Sequence, residues 1–513
     1  MTQRTTLAEL LKDRESASPA LISVFPSAVI SYKALAEQIE RLAEQFRRTG
    51  LRPGESVALV LPNGLEFMVV FLALVRAGLV AAPLNPADKA DELRIFIDNA
   101  GARAVVAEEG STAVKEVATS LGLQMWSPRV DSHGVVSVAG LPHGARNSVD
   151  TPRPDDVAMI ANTSGTTSRP KGVPLTHANI LWSALNIAVR YALTPSDCSL
   201  VVLPLFHCHG LIGCSLSTLA SGGALVLAPR FSASDFWKQF REHRVTWFSA
   251  VPTIHQILLA RADSDNAPHF GPRFIRSCSG ALAPATLAKL EKRFGAPVLE
   301  AYGLTEAAHQ VSTNPLPPLP HKPGSVGLGG EISIIDETGR HLPANCSGEV
   351  VIRGPNVMRG YRNDPEANAA AFIDGWFRTG DVGVVDGDRY LSIVGRIKEL
   401  INRGGEKIAP PEIEAVLLEH PAVAEAAVFG VPDAKYGEEV AAAVVLQADA
   451  GAAELQEFCS QRLADFKVPK FIHVVSALPK NAMGKVRRQE LAAEFPELKG
   501  GASPVSTGKG TLK

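Results

Sequence analysis

Between Ser56 and Glu109, short β-branched runs alternate with a long apolar helix, and this alternation leaves the chain few architectures. SVALVLPNG, Ser56–Gly64, is an apolar run closed by Pro-Asn-Gly, hence a strand and a turn. FMVVFLALVRAGLVAAPL, Phe67–Leu84, follows it, and ARAVVAEE, Ala102–Glu109, repeats the strand signal. A membrane span needs about 20 apolar residues; the middle stretch is interrupted by Arg76, Gly78 and Pro83. It therefore predicts a buried helix from Leu65 to about Arg76, a turn at Gly78 and a short buried strand. Strand, helix and strand in succession predict βαβ units on a parallel sheet. The pattern recurs at the apolar runs Leu200–Leu203, Ala224–Leu227 and Trp247–Val251, with helical segments such as Ala233–Arg241 and Ala285–Arg293 between and after them.

After Asn314 the pattern changes. NPLPPLPHKPG, Asn314–Gly324, predicts an exposed connection, because it can continue neither helix nor sheet. GEISIID, SGEVVIRG and WFRTGDVGVVDGDRYLSIVG then read as short antiparallel strands with Gly/Asp turns, a small β-barrel-like portion. Beyond Gly395 comes a compact α+β segment, with a helix at Pro411–Leu418 and strands near Ala426–Phe429 and Ala441–Leu446. The 513 residues exceed what one core holds. The expected organisation is a multi-subdomain α/β part over 1–394, a small mobile C-terminal domain over 395–498 and a disordered tail over 499–513.

Charge and cysteine usage narrow the function classes. Lys+Arg 51 against Asp+Glu 53 gives a net charge of -2, which offers no electrostatic reason to expect a nucleic acid or an anionic membrane as partner. Six cysteines without a CxxC pair argue against a disulfide scaffold and for a reducing compartment. The opening MTQRTTLAELLKDRES lacks the apolar core of a signal peptide, and the terminal Thr-Leu-Lys is not the Ser-Lys-Leu peroxisomal address. Cytoplasm is the expected location.

Four segments carry chemistry. NTSGTTSRPKGVPL, Asn162–Leu175, sets small hydroxyl residues and glycines beside Arg169 and Lys171, after an apolar strand at Val157–Ile160. Such a loop lets backbone N–H groups converge on phosphate oxygens while cations offset the charge. It is not a Walker A loop, since Gly172 and Val173 follow Lys171. AYGLTE, Ala301–Glu306, places an aromatic ring, a hydroxyl and a carboxylate in one turn: Tyr302 to stack on a base, Thr305 to touch a phosphate, Glu306 to hold Mg²⁺. Asp381 in TGD and Arg396 in GRIKELINRGGEKIAPPEIE suit the two hydroxyls of a ribose. Lastly, PKNAMGKVRR, Pro479–Arg488, puts Lys485 after a glycine on a short loop. The pair His207 and His209, even with Cys198 and Cys214 near in sequence, lacks a second ligand pair at zinc-site spacing.

These segments in this order resemble the AMP-forming adenylating superfamily of acyl-CoA synthetases, luciferases and peptide-synthetase adenylation domains, from about Leu10 to about Phe495. The resemblance implies ATP, Mg²⁺ and coenzyme A as the small molecules used. It makes Thr163–Lys171 the phosphate loop, including Ser164, Gly165, Thr166 and Thr167. Gly280, Ala281 and Leu282, with Glu300, Ala301, Tyr302 and Gly303, would wall the adenine; Thr305 and Glu306 would serve phosphate and Mg²⁺. Asp381 and Arg396 would bind ribose, Lys398 would be the hinge and Lys485 the catalytic lysine. Gly404 and Gly405, in RGGEKI, would reach the active site for the thiol step when the small domain turns. Two departures stand out: Asn481 and Met483 replace the usual hydroxyl residues of the lysine loop, and the linker after Gly324 looks a few residues short.

The segments that bound the acid in this superfamily read FHCHGLIG, VPTIH, SCSG and GLTEAAHQ. A fatty-acid tunnel would present Gly, Ala, Leu and Val; these offer His207 as the gate and His209, Ser279 and His309 within, with His255 and Arg276 nearby. Buried donors are costly unless satisfied, and a second carboxylate on the substrate would satisfy them. VLPLFHCHGLIG, SAVPTIHQILL, RSCSGALAP and TEAAHQVSTNPLP resemble the oxalate–CoA ligase branch, which implies oxalate. The alternatives are another short, medium-chain or aromatic acid, a luciferase-like oxygenase, and a stand-alone adenylation enzyme serving a carrier-protein thiol.

Overall fold

The computed structural model describes residues 4–142, 151–163, 170–264, 271–481 and 484–494. The helix Leu65–Arg76 forms where the sequence placed it. Leu65 and Phe67–Val75 are all buried, as a segment apolar on every side requires. It packs against the amphipathic helix Tyr32–Arg47, whose first turn is capped by Ser31 accepting the Ala34 N–H at 3.2 Å. Among the described residues no helix is long and apolar enough to cross a membrane.

Two large sheets form the N-terminal part. One holds seven strands in the order Val136–Ala139, Gln124–Val130, Ala102–Ala107, Ser56–Val60, Val80–Pro83, Val157–Asn162 and Gly172–Thr176. Its middle pairs are parallel, as the βαβ reading requires, and its two outermost pairs are antiparallel. The second sheet has nine strands: Leu328–Gly329, His309–Thr313, Val298–Leu304, Phe274–Ser277, Trp247–Ala250, Cys198–Val201, Ala224–Leu227, Pro19–Ser23 and Ala28–Ser31. The strands from Val298–Leu304 to Pro19–Ser23 pair parallel with one another. Loops at the carboxyl ends of such strands are where open α/β sheets bind ligands, and Val251, Cys278–Gly280 and Thr305 follow three of them directly.

The turn after Val298–Leu304 is unusually tight. A side chain on Gly303 would place its Cβ 1.5 Å from the His309 carbonyl oxygen, so only glycine lets the returning strand lie this close. Ala308 and His309 then adopt φ of 47° and 87°, a left-handed conformation costly for residues with a side chain.

The portion expected to be barrel-like is a five-stranded antiparallel sheet ending at Leu391–Arg396. A 3-10 turn at Ile397–Glu399 then leads into a separate five-stranded sheet with its own core around Ile413, Val440 and Leu455. Two boundaries differ from the sequence reading. The helix expected from Ala233 starts at Phe236, because Ser232 donates to the Asp235 carboxylate at 2.7 Å and holds a turn there. The strand expected at Ala426–Phe429 spans Val423–Asp433, since its partner Gly437–Leu446 pairs along its whole length. Nor is the proline-rich connection exposed throughout. Asn314 is buried, donating to the Ser325 carbonyl at 2.6 Å and accepting from the Lys322 N–H at 3.0 Å.

The same connection meets Glu300. Its buried carboxylate accepts the Gly324 N–H at 2.9 Å, and burial pushes its pKa up to about 7. A carboxyl with a folded pKa above its unfolded value stabilises less as pH rises from the unfolded value through the folded one. Glu300→Gln keeps an acceptor for Gly324 and removes the titration. Its stability gain over the parent chain should therefore be small near pH 4.5 and grow to a plateau above about pH 7, in urea denaturation at a series of pH values. A difference independent of pH would contradict this account.

Candidate active site

Four groups of side chains converge above the carboxyl ends of the central strands. The first is the base of the phosphate loop. The Thr163 N–H donates to the Lys171 carbonyl at 3.1 Å and the Lys171 N–H donates to Thr163 Oγ1 at 3.3 Å, pinning the two ends together. Ser164, Gly165, Thr166, Thr167 and Arg169 lie outside the described residues. Lys171 Nζ stands 4.6 Å over the ring of Tyr361, whose hydroxyl donates to Glu306 Oε1 at 2.9 Å.

Glu306 sits in the 3-10 turn Thr305–Ala307. Burial holds its carboxyl above the usual range, and among the described residues no cationic nitrogen lies within 4.0 Å of it. A hard carboxylate oxygen with no resident counter-charge fits a Mg²⁺ ion arriving with a nucleotide.

The second group is the ribose pair. Asp381 and Arg396 face each other across the strands Trp376–Val385 and Leu391–Arg396, with Arg396 Nε 3.1 Å from Asp381 Oδ1. The Tyr302 hydroxyl donates to the other oxygen of Asp381. Burial raises the Asp381 carboxyl and Arg396 pulls it back. Gly280 and Ala281 are exposed on the adjoining loop. Leu282, Glu300 and Ala301 belong to the same expected wall. Leu282 and Ala301 are buried, Leu282 in the core cluster under the sheet, and Glu300 is engaged by Gly324. Only their backbone is available to a base.

The third group gathers the residues expected to bound the acid, and here a residue noted in the sequence only as a neighbour becomes central. Arg276 lies in the middle of the buried strand Phe274–Ser277 and is 0% exposed. Its Nε donates to the Tyr191 hydroxyl at 2.9 Å, Nη1 to Ser249 Oγ at 3.1 Å, and Nη2 to Gln310 Oε1 and His309 Nε2, each at 3.0 Å. Among the described residues no carboxylate lies within salt-bridge distance of it. Because guanidinium only donates, His309 Nε2 must accept, which leaves the His309 proton on Nδ1. His209 stacks on His309 with centroids 4.8 Å apart and reaches Ser249 Oγ at 2.7 Å and Ser279 Oγ at 3.0 Å. Burial and the Arg276 charge hold both imidazoles well below the ordinary histidine range, so both are neutral.

Gly213 closes this pocket. A Cβ there would lie 2.5 Å from His309 Nε2 and 3.3 Å from His209 Cδ2. Ser279, like His309, is held at a positive φ, 68°. His209, Cys278 and His309 bring donor atoms within 4.8 Å of one another, a different set from the His207–His209 pair that the sequence spacing argued against as a zinc site. The Arg276 cation beside His309 opposes a metal ion there.

The fourth group is the lysine loop. Asn481 ties it, accepting the Lys485 N–H on Oδ1 at 3.0 Å and donating its own N–H to the Lys485 carbonyl at 2.9 Å. Met483 lies outside the described residues. Desolvation by the surrounding cleft walls, although the residue stays exposed, and the Arg396 charge hold the Lys485 ammonium below the usual lysine range. Lys485 is close enough to bias His207, whose half-buried imidazole is lowered by desolvation to about 4, and Asp381. Lys398 lies in the turn directly after Arg396. Gly404 and Gly405 stay apart from these groups: the Gly404 N–H donates to the Tyr436 carbonyl at 2.8 Å and the Gly405 N–H to Asn402 Oδ1 at 3.1 Å, both within the C-terminal domain.

Sequence reasoning passed over Tyr191, Ser249, Gln310 and Tyr361. An arginine inside an otherwise apolar strand was the available signal for Arg276. Ser249 follows from it only once the strands are registered, since the two are direct neighbours in the sheet.

Comparison with known proteins agrees with this geometry. The chain matches the AMP-binding enzyme family over residues 12–362 and the AMP-binding enzyme C-terminal domain over residues 412–485. It is 47% identical over 508 residues to an oxalate–CoA ligase of Arabidopsis thaliana, covering 96% of this chain and 99% of that protein. An oxalate–CoA ligase of Saccharomyces cerevisiae is 41% identical, covering 96% and 98%. Among solved structures, ATP-bound MatB from Rhodopseudomonas palustris superposes with a TM-score of 0.87 at 32% identity, covering 97% of this chain and 100% of that one. Its apo form, at the same identity and coverage, scores 0.77. This chain therefore superposes better on the ATP-bound form than on the apo form. With the family's large domain and its C-terminal domain both matched in order and the site groups gathered between them, the chain belongs to the AMP-binding enzyme family.

Proposed function

We propose that the chain is an ATP-dependent oxalate–CoA ligase, and the observation that carries the substrate is Arg276. A buried cation without a carboxylate partner is costly. Hydroxyls, an imidazole and an amide meet its donors, yet leave its charge uncompensated. A small acid whose reacting carboxylate faces the nucleotide would bring a second carboxylate into this region, and the relatives named for oxalate support the two-carbon spacing.

The hydrogen bonds assign roles. Ser249 accepts from Arg276 and gives its proton to His209 Nε2. His209 then carries its proton on Nδ1 and donates to Ser279, whose hydroxyl is left to donate to the far carboxylate. The His309 Nδ1–H is a second neutral donor. Gly213 supports a short acid, because the space beside the histidines is filled by the bare backbone.

In the first step an oxygen of the near carboxylate attacks the α-phosphorus of ATP. The bond to the β-phosphate bridging oxygen breaks, and pyrophosphate leaves with the electron pair. Two anions approach each other, so the site must supply positive charge where negative charge develops. Lys171 and Lys485 supply it, while Asp381 and Arg396 orient the ribose and Tyr302 the base. Glu306 would hold Mg²⁺, which on binding neutralises phosphate charge. In the second step the coenzyme A thiol attacks the acyl carbon, the bond to AMP breaks, and the thiol proton is released. That step needs Lys485 withdrawn and a path opened past His207. A turn about Lys398 would do both, bringing Gly404 and Gly405 to the cleft.

ATP–pyrophosphate exchange across oxalate, malonate, acetate, octanoate and 4-coumarate tests the substrate. Oxalate should give the highest kcat/KM and acetate at least about a thousandfold less, since a site built for a polar group rejects an analogue lacking it. A preference for octanoate or 4-coumarate, with no exchange on oxalate, would sink the proposal. Arg276→Gln should lower kcat/KM for oxalate by about 10²–10³, as losing one partner of a buried charged contact does. The KM for ATP should stay within about threefold, and an equal rise in both would refute this role. Lys485→Ala should cut oxalyl-adenylate formation to a small but measurable residual rate, at least about 10²-fold down, and largely spare oxalyl-CoA formation from supplied oxalyl-adenylate; a parallel loss of both half-reactions would count against the lysine's assignment.

A further inference from the structure

We propose that Arg488 is a positioning residue for Lys485, clamping the lysine hairpin to the element beside the hinge so that the small domain delivers and withdraws the lysine as one rigid piece. The inference rests on the adenylation role of Lys485 given above.

The hairpin is short and held at its base. Lys480 pairs with Val486 as an isolated bridge, and the Arg487 N–H donates to the Pro479 carbonyl at 2.9 Å. Lys480 Nζ lies 2.5 Å from Glu425, which ties one side of the hairpin to the strand Val423–Asp433. Arg488, three residues after the lysine, ties the other side, and its guanidinium reaches three separate elements. Nε donates to the Val428 carbonyl at 3.2 Å, in that same strand. Nη2 donates to both oxygens of Glu414, at 2.8 and 3.0 Å, on the helix Pro410–Leu417. Nη1 donates to Glu399 Oε2 at 3.2 Å, in the turn that contains Lys398. Glu414 closes the ring by accepting the Val428 N–H at 2.9 Å.

This connection differs from ordinary packing in where it leads. Lys480 binds the hairpin to the body of the domain alone, whereas Arg488 also binds it to the residue next to the hinge. Lys485 has little room for error on the other side. Gly484 has φ of 75°, and a Cβ there would lie 2.9 Å from Thr253 Oγ1, so the hairpin docks against the start of the helix Pro252–Ala260 beside the acid pocket. A hairpin free to tilt would carry Lys485 out of reach of the α-phosphate, and small displacements of a positioned group cost large factors in rate. The thiol step, performed with the lysine withdrawn, does not depend on that alignment.

The test uses the full chain, oxalate, ATP–pyrophosphate exchange for adenylation and supplied oxalyl-adenylate for thioester formation. Arg488→Gln should slow adenylation about 30- to 100-fold and leave thioester formation within about threefold, and Arg488→Lys should recover part of the loss by reaching one carboxylate. Glu399→Gln removes the negative charge of the hinge arm alone and leaves a neutral acceptor in its place. It should slow adenylation about 5- to 20-fold in the same direction, with the melting temperature of the parent chain, so a fold defect in the arginine variant does not decide the matter. In a Lys485→Ala background, Arg488→Gln should cost adenylation nothing further, because a residue acting through another loses its effect when that other is gone. Equal loss in both half-reactions for Glu399→Gln, or a further loss in the Lys485→Ala background, overturns the clamp. If Lys485→Ala blocks adenylation while neither clamp variant shifts the ratio of half-reactions, the clamp alone fails. If Lys485→Ala leaves adenylation intact, the lysine's assignment fails and the clamp with it.

Discussion

Arg276 is the constraint around which the acid pocket is arranged. A guanidinium fixed in the middle of a central strand has no route to water and no carboxylate among the described residues to pair with. Its neighbours must therefore be acceptors: Tyr191 oxygen, Ser249 oxygen, Gln310 oxygen and an unprotonated His309 nitrogen. Each choice propagates. His309 forced to accept must carry its proton on Nδ1, and His209, stacked against it, is kept neutral by burial and the same positive charge. The positive φ values at Ser279 and His309 and the bare backbone at Gly213 follow as the conformations that let these rings and hydroxyls fit around one cation.

The nucleotide side solves a different electrostatic problem, with Asp381 buried and its other groups exposed or half-buried. Asp381 and Arg396 neutralise each other, so their pairing fixes geometry without adding net charge, and Glu306 is left without a cation to hold. Lys171 is braced against Tyr361, which also holds Glu306, so a single ring relates the phosphate loop to the carboxylate. The chain's net charge of -2 therefore says little about the cleft, where cations from distant segments are gathered at one place.

How much of this was legible depended on whether function wrote itself into contiguous residues. The phosphate loop, AYGLTE, TGD and the lysine loop are local motifs, since each must shape its own backbone around a nucleotide, and they could be read from short strings. The helix Leu65–Arg76 was legible for a similar reason, because burial on all sides leaves an unbroken apolar run. Tyr191 and Ser249 were not: Ser249 meets Arg276 through strand register across 27 residues, and Tyr191 reaches it from the end of the helix His177–Arg190 across 85. For Leu282 the motif placed the segment at the cleft, while the burial of its side chain in the core became visible only in the fold. Tyr361 was missed because its partners, Lys171 and Glu306, come from segments that touch only in the folded chain.

The division of residues between the two domains follows from the opposed demands of the two half-reactions. Joining a carboxylate to a phosphorus needs a cation at the reacting oxygens, while admitting a thiol to the same carbonyl needs that cation gone. A group bound to the large domain could not satisfy both. Recognition of the acid has the contrary requirement, since the intermediate must be held in one place while the second reagent arrives. The residues proposed for it accordingly sit in the large domain, Arg276 and His309 on strands, His209 at the start of the helix His209–Leu216 and Ser279 on a loop, three of the four buried. Lys485 comes from a hairpin of the small one, within reach of Asp381 and His207 yet carried on separate elements. The acid is read once, by groups that do not move, and the chemistry is exchanged around it.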